Sequence, residues 1–324
     1  MRVLVTGADG FVGQHLAEAL LGRGDEVLGA IHGAEPQAGT LPAAAVARVD
    51  WTTFDLRDAA SVEALVEGSA PDAVVHLAGV SSVSASWRDP ETTFDVNATG
   101  ALRLMAALRK LPPGRRRRPV LLVSSGEVYG ADGTEGAPLT ESLSLRPVTP
   151  YGASKAAQEM LASVLADHDT VRLIHARSFQ QIGPGQQPTF VAADWARQLL
   201  EIRDGARPAV LRVGNLEIER DFLDVRDGAA AYLALLDSDE AVGYFNVCSG
   251  RSCSLRRLLE RLQHAVGISA EIMVDPARLR PAEIRSLIGS PARLIRATGW
   301  SPRFALEESL HDLVAHLDTA PRPA

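Results

Sequence analysis

Cysteine is scarce in this chain. Two occur in 324 residues, Cys248 and Cys253 in the stretch NVCSGRSC, with no second pair and no clustered histidines beside them. That excludes a disulfide framework and a zinc-ligand set, so the reading is two reduced thiols and no metal site. Long hydrophobic runs are missing as well: no apolar stretch approaches the ~20 residues of a membrane span. Met1-Arg2-Val3-Leu4-Val5 runs straight into a turn rather than into the apolar centre of a signal peptide, so a cytoplasmic protein without membrane contact is expected. Net positive charge is also lacking. Lys and Arg total 33 against 40 Asp and Glu, a formal net charge of -7, which leaves no basic field to gather nucleic acid or an anionic surface. The basic run Arg115 to Arg118, flanked by prolines, reads as a solvated loop. There is no internal repeat. What remains is a globular composition, 46% hydrophobic and 23% charged, long enough to bury a sizeable core.

The pattern along the chain is an alternation. RVLVTG and EVLGAI read as strands around the helical spacing of FVGQHLAEALLGRG. ARVDWTTFDL follows as a third strand, SVEALVEGSA as a helix and DAVVHLAG as a fourth strand. TTFDVNATGALRLMAALRKL reads as one long helix, PVLLVSS as a central strand, YGASKAAQEMLASVLADH as a helix and VRLIHARSF as another strand. Strand, helix, strand without hairpin signals means a doubly wound parallel α/β sheet with helices on both faces. After Phe179 the texture changes: QQIGPGQQP reads as a loop, followed by mixed short strands and helices. We therefore expect a dinucleotide-binding domain over 1–178 and a smaller, interleaved substrate-binding lobe over 179–324, with part of about 216–246 returning to the sheet.

The dinucleotide expectation comes from TGADGFVG, between the first strand and the first helix. Gly7 permits a tight turn, Gly10 lets backbone approach a pyrophosphate, and Gly13 allows close helix packing. The helix N-terminus adds free N–H groups and a positive dipole end. A close-packed turn would also use these glycines, but after the first strand of a parallel sheet they predict a dinucleotide site. Gly7, Gly10, Phe11, Val12 and Gly13 would form it, with Leu77, Ala78 and Gly79 at the end of the fourth strand. His32, ending the second strand, leaves NADPH and NADH both open. Asp55 and Leu56, after the third strand, are candidates for the adenine edge; Asp55 could equally cap the next helix.

The stretch YGASK opens a helix, so Tyr151 and Lys155 lie one turn apart on one face. Ser125 ends the central strand at the carboxyl edge of the sheet, where ligands bind in such folds. A lysine ammonium beside a tyrosine stabilises the phenolate, and a serine hydroxyl polarises a carbonyl. Ser125, Tyr151 and Lys155, with the GxxGxxG spacing, resemble the working group of the short-chain dehydrogenase/reductase superfamily, in its extended, sugar-nucleotide-modifying branch.

The later stretches IGPGQ, RVGNLEIERDFLDVRD, NVCSG, RLRPAEIRSLIGSPARL and TGWSPRFALEESL resemble GDP-4-keto-6-deoxy-D-mannose reductases, relatives of GDP-mannose 4,6-dehydratase. The resemblance covers essentially the whole chain. It implies that Arg220, Arg280 and Glu283 contact the nucleotide diphosphate or its sugar, a task suited to the forked donors of arginine. It also implies a homodimer, paired through a four-helix bundle formed by the YGASK helix and the long helix before it. Two positions depart from the related enzymes. Gln180 stands where an Asn contacting the sugar nucleotide is usual. Gly126 stands where dTDP-glucose dehydratases carry an acidic Asp, while Glu127 is kept, a residue that acts as base in GDP-mannose dehydratases. The implied activity is reduction of a C4 ketone on a nucleotide-linked 6-deoxyhexose, with 4,6-dehydration or 4-epimerisation as alternatives; a non-catalytic NAD(P)-sensing protein is a remote one.

Overall fold

The computed structural model describes residues 1–37, 39–114, 117–130, 137–279 and 284–319. The chain begins β1 (Arg2–Thr6), α1 (Phe11–Arg23), β2 (Glu26–Ile31), α2 (Ala43–Val46), β3 (Asp50–Thr53), α3 (Ala59–Ser69) and β4 (Ala73–His76). It continues through α4 (Val83–Arg88), α5 (Pro90–Phe94), a π-helical turn at Asp95–Thr99, α6 (Gly100–Leu108), β5 (Arg118–Ser125), α7 (Pro150–Leu165) and β6 (Val171–Ser178). Then come β7 (Gln180–Ile182), α8 (Val191–Arg203), β8 (Val210–Val213), β9 (Glu219–Asp224), α9 (Val225–Asp237) and β10 (Gly243–Val247). The last elements are β11 (Ser252–Ser254), α10 (Leu255–Val266), β12 (Glu271–Val274), β13 (Ser286–Leu287), α11 (Ala292–Thr298) and α12 (Leu306–Thr319).

Seven strands form one parallel sheet in the order β10-β6-β5-β4-β1-β2-β3. The period-2 alternation of each strand supplies both of its faces. Val3 and Val5 of β1 pack with Leu16 and Leu20 of α1 and Tyr232 of α9. Leu4, between them, packs on the other face with Val62 of α3 and Leu104 and Met105 of α6. The order runs outward from β1 to β3 and then reverses, with β4 on the other side of β1. That reversal opens a crevice at the carboxyl ends of β1 and β4.

The chain after β6 adds β11, β9 and β13 as a second sheet, with β7 also paired to β9, and the two-stranded β8–β12. Trp195, Leu199, Leu258, Leu259, Leu262 and Leu313, from α8, α10 and α12, form a separate apolar cluster there. Meanwhile β10 joins the large sheet beside β6, and α9 covers it next to α1.

Four details differ from the sequence reading. The third strand is confined to Asp50–Thr53, with the short α2 ahead of it. The Gln- and Gly-rich segment after Phe179 is a strand at Gln180–Ile182, because β9 supplies a parallel partner from 42 residues downstream, Gln180 facing Phe222. The long helix before β5 is broken by the π turn, whose extra residue lets the Asn97 side chain reach across to the loop after β4. Within the basic run, Arg118 belongs to β5, and its Nε donates to the Pro71 carbonyl at 2.7 Å, so it is not a loop residue. Arg115 and Arg116 lie outside the described residues. Among the described residues, no helix is long and apolar enough to cross a membrane.

Candidate active site

A cavity of about 1250 Å³ occupies the crevice and extends toward the second sheet. It exceeds the range usual for one small ligand, roughly 300–1,000 Å³. Gly7, Gly10, Phe11, Val12 and Gly13 line one end. Gly7 has φ +71°, the left-handed backbone that glycine adopts without strain. A Cβ there would lie 2.9 Å from the Ala78 amide nitrogen, so the turn after β1 presses directly on the loop after β4. A Cβ on Gly13 would fall 2.2 Å from the Gly7 carbonyl oxygen, so its missing side chain lets α1 close on the turn itself. Gly10 caps α1 with no side-chain hydrogen bond, leaving first-turn N–H groups available to an anion. These features fit a dinucleotide pyrophosphate.

Leu77, Ala78, Gly79, His32, Asp55 and Leu56 line the same cavity. Asp55 does not cap the following helix. Asp58 does, accepting from the Ala60 N–H at 3.0 Å. Asp55 is instead gripped by Arg57, which donates from Nε at 3.1 Å, from Nη2 at 2.8 Å and from its backbone N–H at 2.8 Å. Those hydrogen bonds hold the Asp55 carboxyl down at about 2, so it is an anion that presents acceptors to the cavity. Arg57 also lines the cavity and was not singled out by the sequence reading.

The Ser125, Tyr151 and Lys155 side chains converge on the cavity wall. Pro150 at the helix start and the Thr149 cap, which accepts from Gly152 N–H, fix the first turn of α7. The Tyr151 N–H is held by Ser86 Oγ at 3.1 Å. Ser125 Oγ accepts the Glu127 N–H at 3.1 Å and is hydrogen-bonded to the Tyr151 hydroxyl. Burial pushes the Tyr151 phenol up to about 12; the Ser125 hydrogen bond pulls the other way, and the Glu127 charge adds to the rise. Lys155 was expected to pull this phenol down; the shift is upward because burial dominates it. The lysine donates to the Val123 carbonyl at 2.8 Å and to Gln158 Oε1 at 2.9 Å. Burial lowers the Lys155 amine to about 8, with the Glu159 carboxylate opposing the drop.

Asn97 is a site-shaping residue that the sequence reading missed. Its Oδ1 accepts the Val80 N–H at 2.8 Å, and its Nδ2 donates to the Val80 carbonyl at 3.0 Å and to Ser154 Oγ at 2.9 Å. It thus ties the loop after β4 to the helix carrying Tyr151 and Lys155. A Cβ on Gly79 would sit 2.7 Å from this Oδ1, so glycine is required for the contact.

On the other side, Glu127 and Gly126 line the cavity, with Gln180 on β7 and Arg220 on β9. Phe179 packs against Gly126 so closely that a Cβ there would meet three ring carbons at 3.1–3.2 Å. Arg220 is buried, its Nη1 donating to the Glu219 and Ile284 carbonyls at 2.8 Å. The wall continues through Phe190, Asp194 and Trp195 to Arg278, which is ion-paired with Asp194 at 2.5 Å. Arg280 and Glu283 lie outside the described residues. Among the described residues, no group of three or more His, Cys, Asp or Glu side chains is placed to hold a metal ion.

Residues 4–313 match the GDP-mannose 4,6 dehydratase family. The chain is 36% identical to the GDP-6-deoxy-D-mannose reductase of Pseudomonas aeruginosa over 99% of its length and 98% of that protein. It is 26% identical to a GDP-mannose 4,6-dehydratase of Vibrio cholerae, over 97% of this chain and 92% of the other. A structure of RMD from Pseudomonas aeruginosa complexed with NADPH superposes with a TM-score of 0.81 at 36% identity, covering 98% of each chain. The UDP-glucose 4-epimerase of Thermus thermophilus, solved with NAD, superposes with a TM-score of 0.86 at 32% identity, covering 99% of this chain and 100% of the other. With the parallel sheet, the glycine turn and the Ser, Tyr and Lys convergence, these matches place the chain in the GDP-mannose 4,6-dehydratase family of extended short-chain dehydrogenases/reductases.

Proposed function

We propose that the chain reduces the C4 ketone of a nucleotide-linked 4-keto-6-deoxyhexose with NADPH or NADH, converting GDP-4-keto-6-deoxy-D-mannose to GDP-6-deoxy-D-mannose. The observation that carries this choice within the family is the 36% identity to a GDP-6-deoxy-D-mannose reductase over 99% of the chain, against 26% to a GDP-mannose 4,6-dehydratase. Gly126, under the Phe179 ring, also lacks the acid that dTDP-glucose dehydratases carry at that position. With its phenol pushed up to about 12 by burial, Tyr151 is protonated at neutral pH, as protonation of a developing alkoxide requires.

Bound reduced nicotinamide supplies the hydride. Gly7, Gly10, Phe11, Val12 and Gly13 hold its pyrophosphate, Asp55 and Leu56 meet the adenine edge, and Lys155 holds the nicotinamide ribose. Tyr151 donates its proton to the C4 oxygen, while Ser125 hydrogen-bonds the carbonyl and so favours the transition state in which that oxygen carries charge. Glu127 binds a sugar hydroxyl. Gln180 and Arg220, with Arg280 and Glu283, bind the sugar nucleotide. The working unit is a cytoplasmic homodimer, paired across α7 and the helical segment from α5 through α6. Phe94 on α5 and Met160 and Val164 on α7, exposed at 46, 64 and 84%, support that pairing as uncovered apolar side chains.

A 4,6-dehydratase or 4-epimerase activity is the second reading. It is favoured by Glu127 and by the superposition on the Thermus epimerase. Such enzymes regenerate their nicotinamide each turnover, whereas a reductase consumes it. The test is reduced-nicotinamide absorbance on mixing the protein with GDP-4-keto-6-deoxymannose, trying NADPH and NADH separately. Stoichiometric oxidation with formation of a 6-deoxyhexose is expected. No oxidation, together with conversion of GDP-mannose itself when no other enzyme is present, would establish the second reading instead.

A further inference from the structure

We propose that Glu159 is a positioning residue for this reaction, holding the strand end beside Ser125 and setting a carboxylate one helical turn from Lys155, fixed there by a buried network with Ser124 and Arg177. The inference rests on the reading of Lys155 as the group beside the reacting hydroxyl. Glu159 lies one turn beyond Lys155 on α7, on the same helix face, and is 0% exposed. Ser124 Oγ donates to Glu159 Oε1 at 2.6 Å. Arg177 donates from Nε to Oε1 at 3.0 Å and from Nη2 to Oε2 at 2.8 Å. The guanidinium is itself fixed. Its Nη1 donates to the Tyr129 hydroxyl at 3.0 Å, which donates to Asn246 Oδ1 at 2.7 Å. It also lies 4.9 and 4.6 Å from the ring centres of Tyr129 and Tyr244.

A buried ion pair is a poor source of stability, because desolvation offsets most of the attraction. Its position is the informative feature. Ser124 immediately precedes Ser125, Tyr129 follows Glu127 by two residues, and Glu159 follows Lys155 by four. The network therefore borders the cavity-lining side chains on β5, on the segment after it and on α7.

Lys155 needs a source of negative charge. Its own hydrogen bonds go to a carbonyl and an amide, both neutral. Among the titratable groups packed around the site, His76 on β4 is held neutral at about 3 by burial, and Tyr151 on α7 is a neutral phenol. Arg177 on β6 is positive and is spent on Glu159. Glu127 follows β5 and faces Tyr151. Glu159 is the carboxylate that opposes the loss of the Lys155 charge.

The chain has two lysines, Lys110 and Lys155. Lysine labelled with carbon-13 at Cε therefore gives two resonances, and Lys110→Arg assigns them. In the unsubstituted protein the Lys155 signal is expected to titrate near 8. In Glu159→Gln the midpoint should fall by ~1 unit, as for removal of an adjacent opposite charge, and the basic limb of the kcat profile should fall with it. Measured well below the Lys155 midpoint, where the amine keeps its charge, KM for NADPH should change by less than ~3-fold. A midpoint and limb that stay in place overturn the proposal. Should Glu159→Gln not fold, Glu159→Asp, which draws the charge back by one methylene, is expected to lower the midpoint less, and an unchanged midpoint there overturns it as well. A Tyr151→Phe protein that keeps full turnover would sink the reading of the site while leaving the lysine titration interpretable, so the two failures are distinct.

Discussion

Tyr151→Phe is expected to lower kcat for ketone reduction by ~10²–10⁴-fold while leaving NADPH affinity within ~3-fold. Phenylalanine keeps the ring and its packing and removes only the hydroxyl, the group hydrogen-bonded to Ser125. Ser125 remains to polarise the carbonyl, so turnover should not vanish. It lacks an acid of suitable strength, and the alkoxide must then take its proton from solvent. Steady-state kinetics with saturating NADPH, alongside cofactor binding by fluorescence, separates the two effects. Unchanged kcat would mean that another group supplies the proton, and Glu127, on the same wall, would be the first to examine.

The second large effect is expected at the other end of the cavity. Gly13→Ala places a Cβ 2.2 Å from the Gly7 carbonyl oxygen and 2.7 Å from that of Ala8. Both neighbours are backbone, so neither can swing aside as a side chain would, and the turn or the helix must shift. Overpacking of this kind costs about 1–3 kcal/mol. The displaced parts are the turn and helix end proposed to hold the pyrophosphate, so NADPH affinity should drop by at least ~10-fold, the equivalent of about 1.4 kcal/mol. Thermal unfolding with and without NADPH measures both losses. A variant with undiminished cofactor binding would show that the turn does not seat the pyrophosphate.

Much of the fold was legible because its signals are local. The strands are apolar runs that end in glycine or polar residues, the helices carry period-3.6 stripes, and their strict alternation leaves a parallel sheet as the outcome. The glycine turn and YGASK were legible for the same reason: both fit within one strand-to-helix junction. What was missed depends on partners far away in sequence. Gln180–Ile182 looks like a loop until β9 arrives to pair with it. The π turn around Asn97 exists because its side chain must reach Val80 and Ser154, a need that no helical periodicity expresses. Nothing in VRLIHARS or SKAAQEM marks Arg177 and Glu159 as partners, yet both are buried and joined to each other. The sign of the Tyr151 shift was misjudged for a related reason. The neighbouring lysine is visible in the sequence, whereas the depth of burial that raises the phenol is not.

Isotope transfer tests the central claim most directly. The reaction is run with GDP-4-keto-6-deoxymannose and NADPH carrying deuterium at the transferable position of the nicotinamide, and the sugar product is analysed by NMR. The account predicts one deuterium at C4 of the 6-deoxyhexose for each nicotinamide oxidised. A product without deuterium at C4, formed without net nicotinamide oxidation, would contradict it and place the chemistry with the dehydratases and epimerases of the same fold.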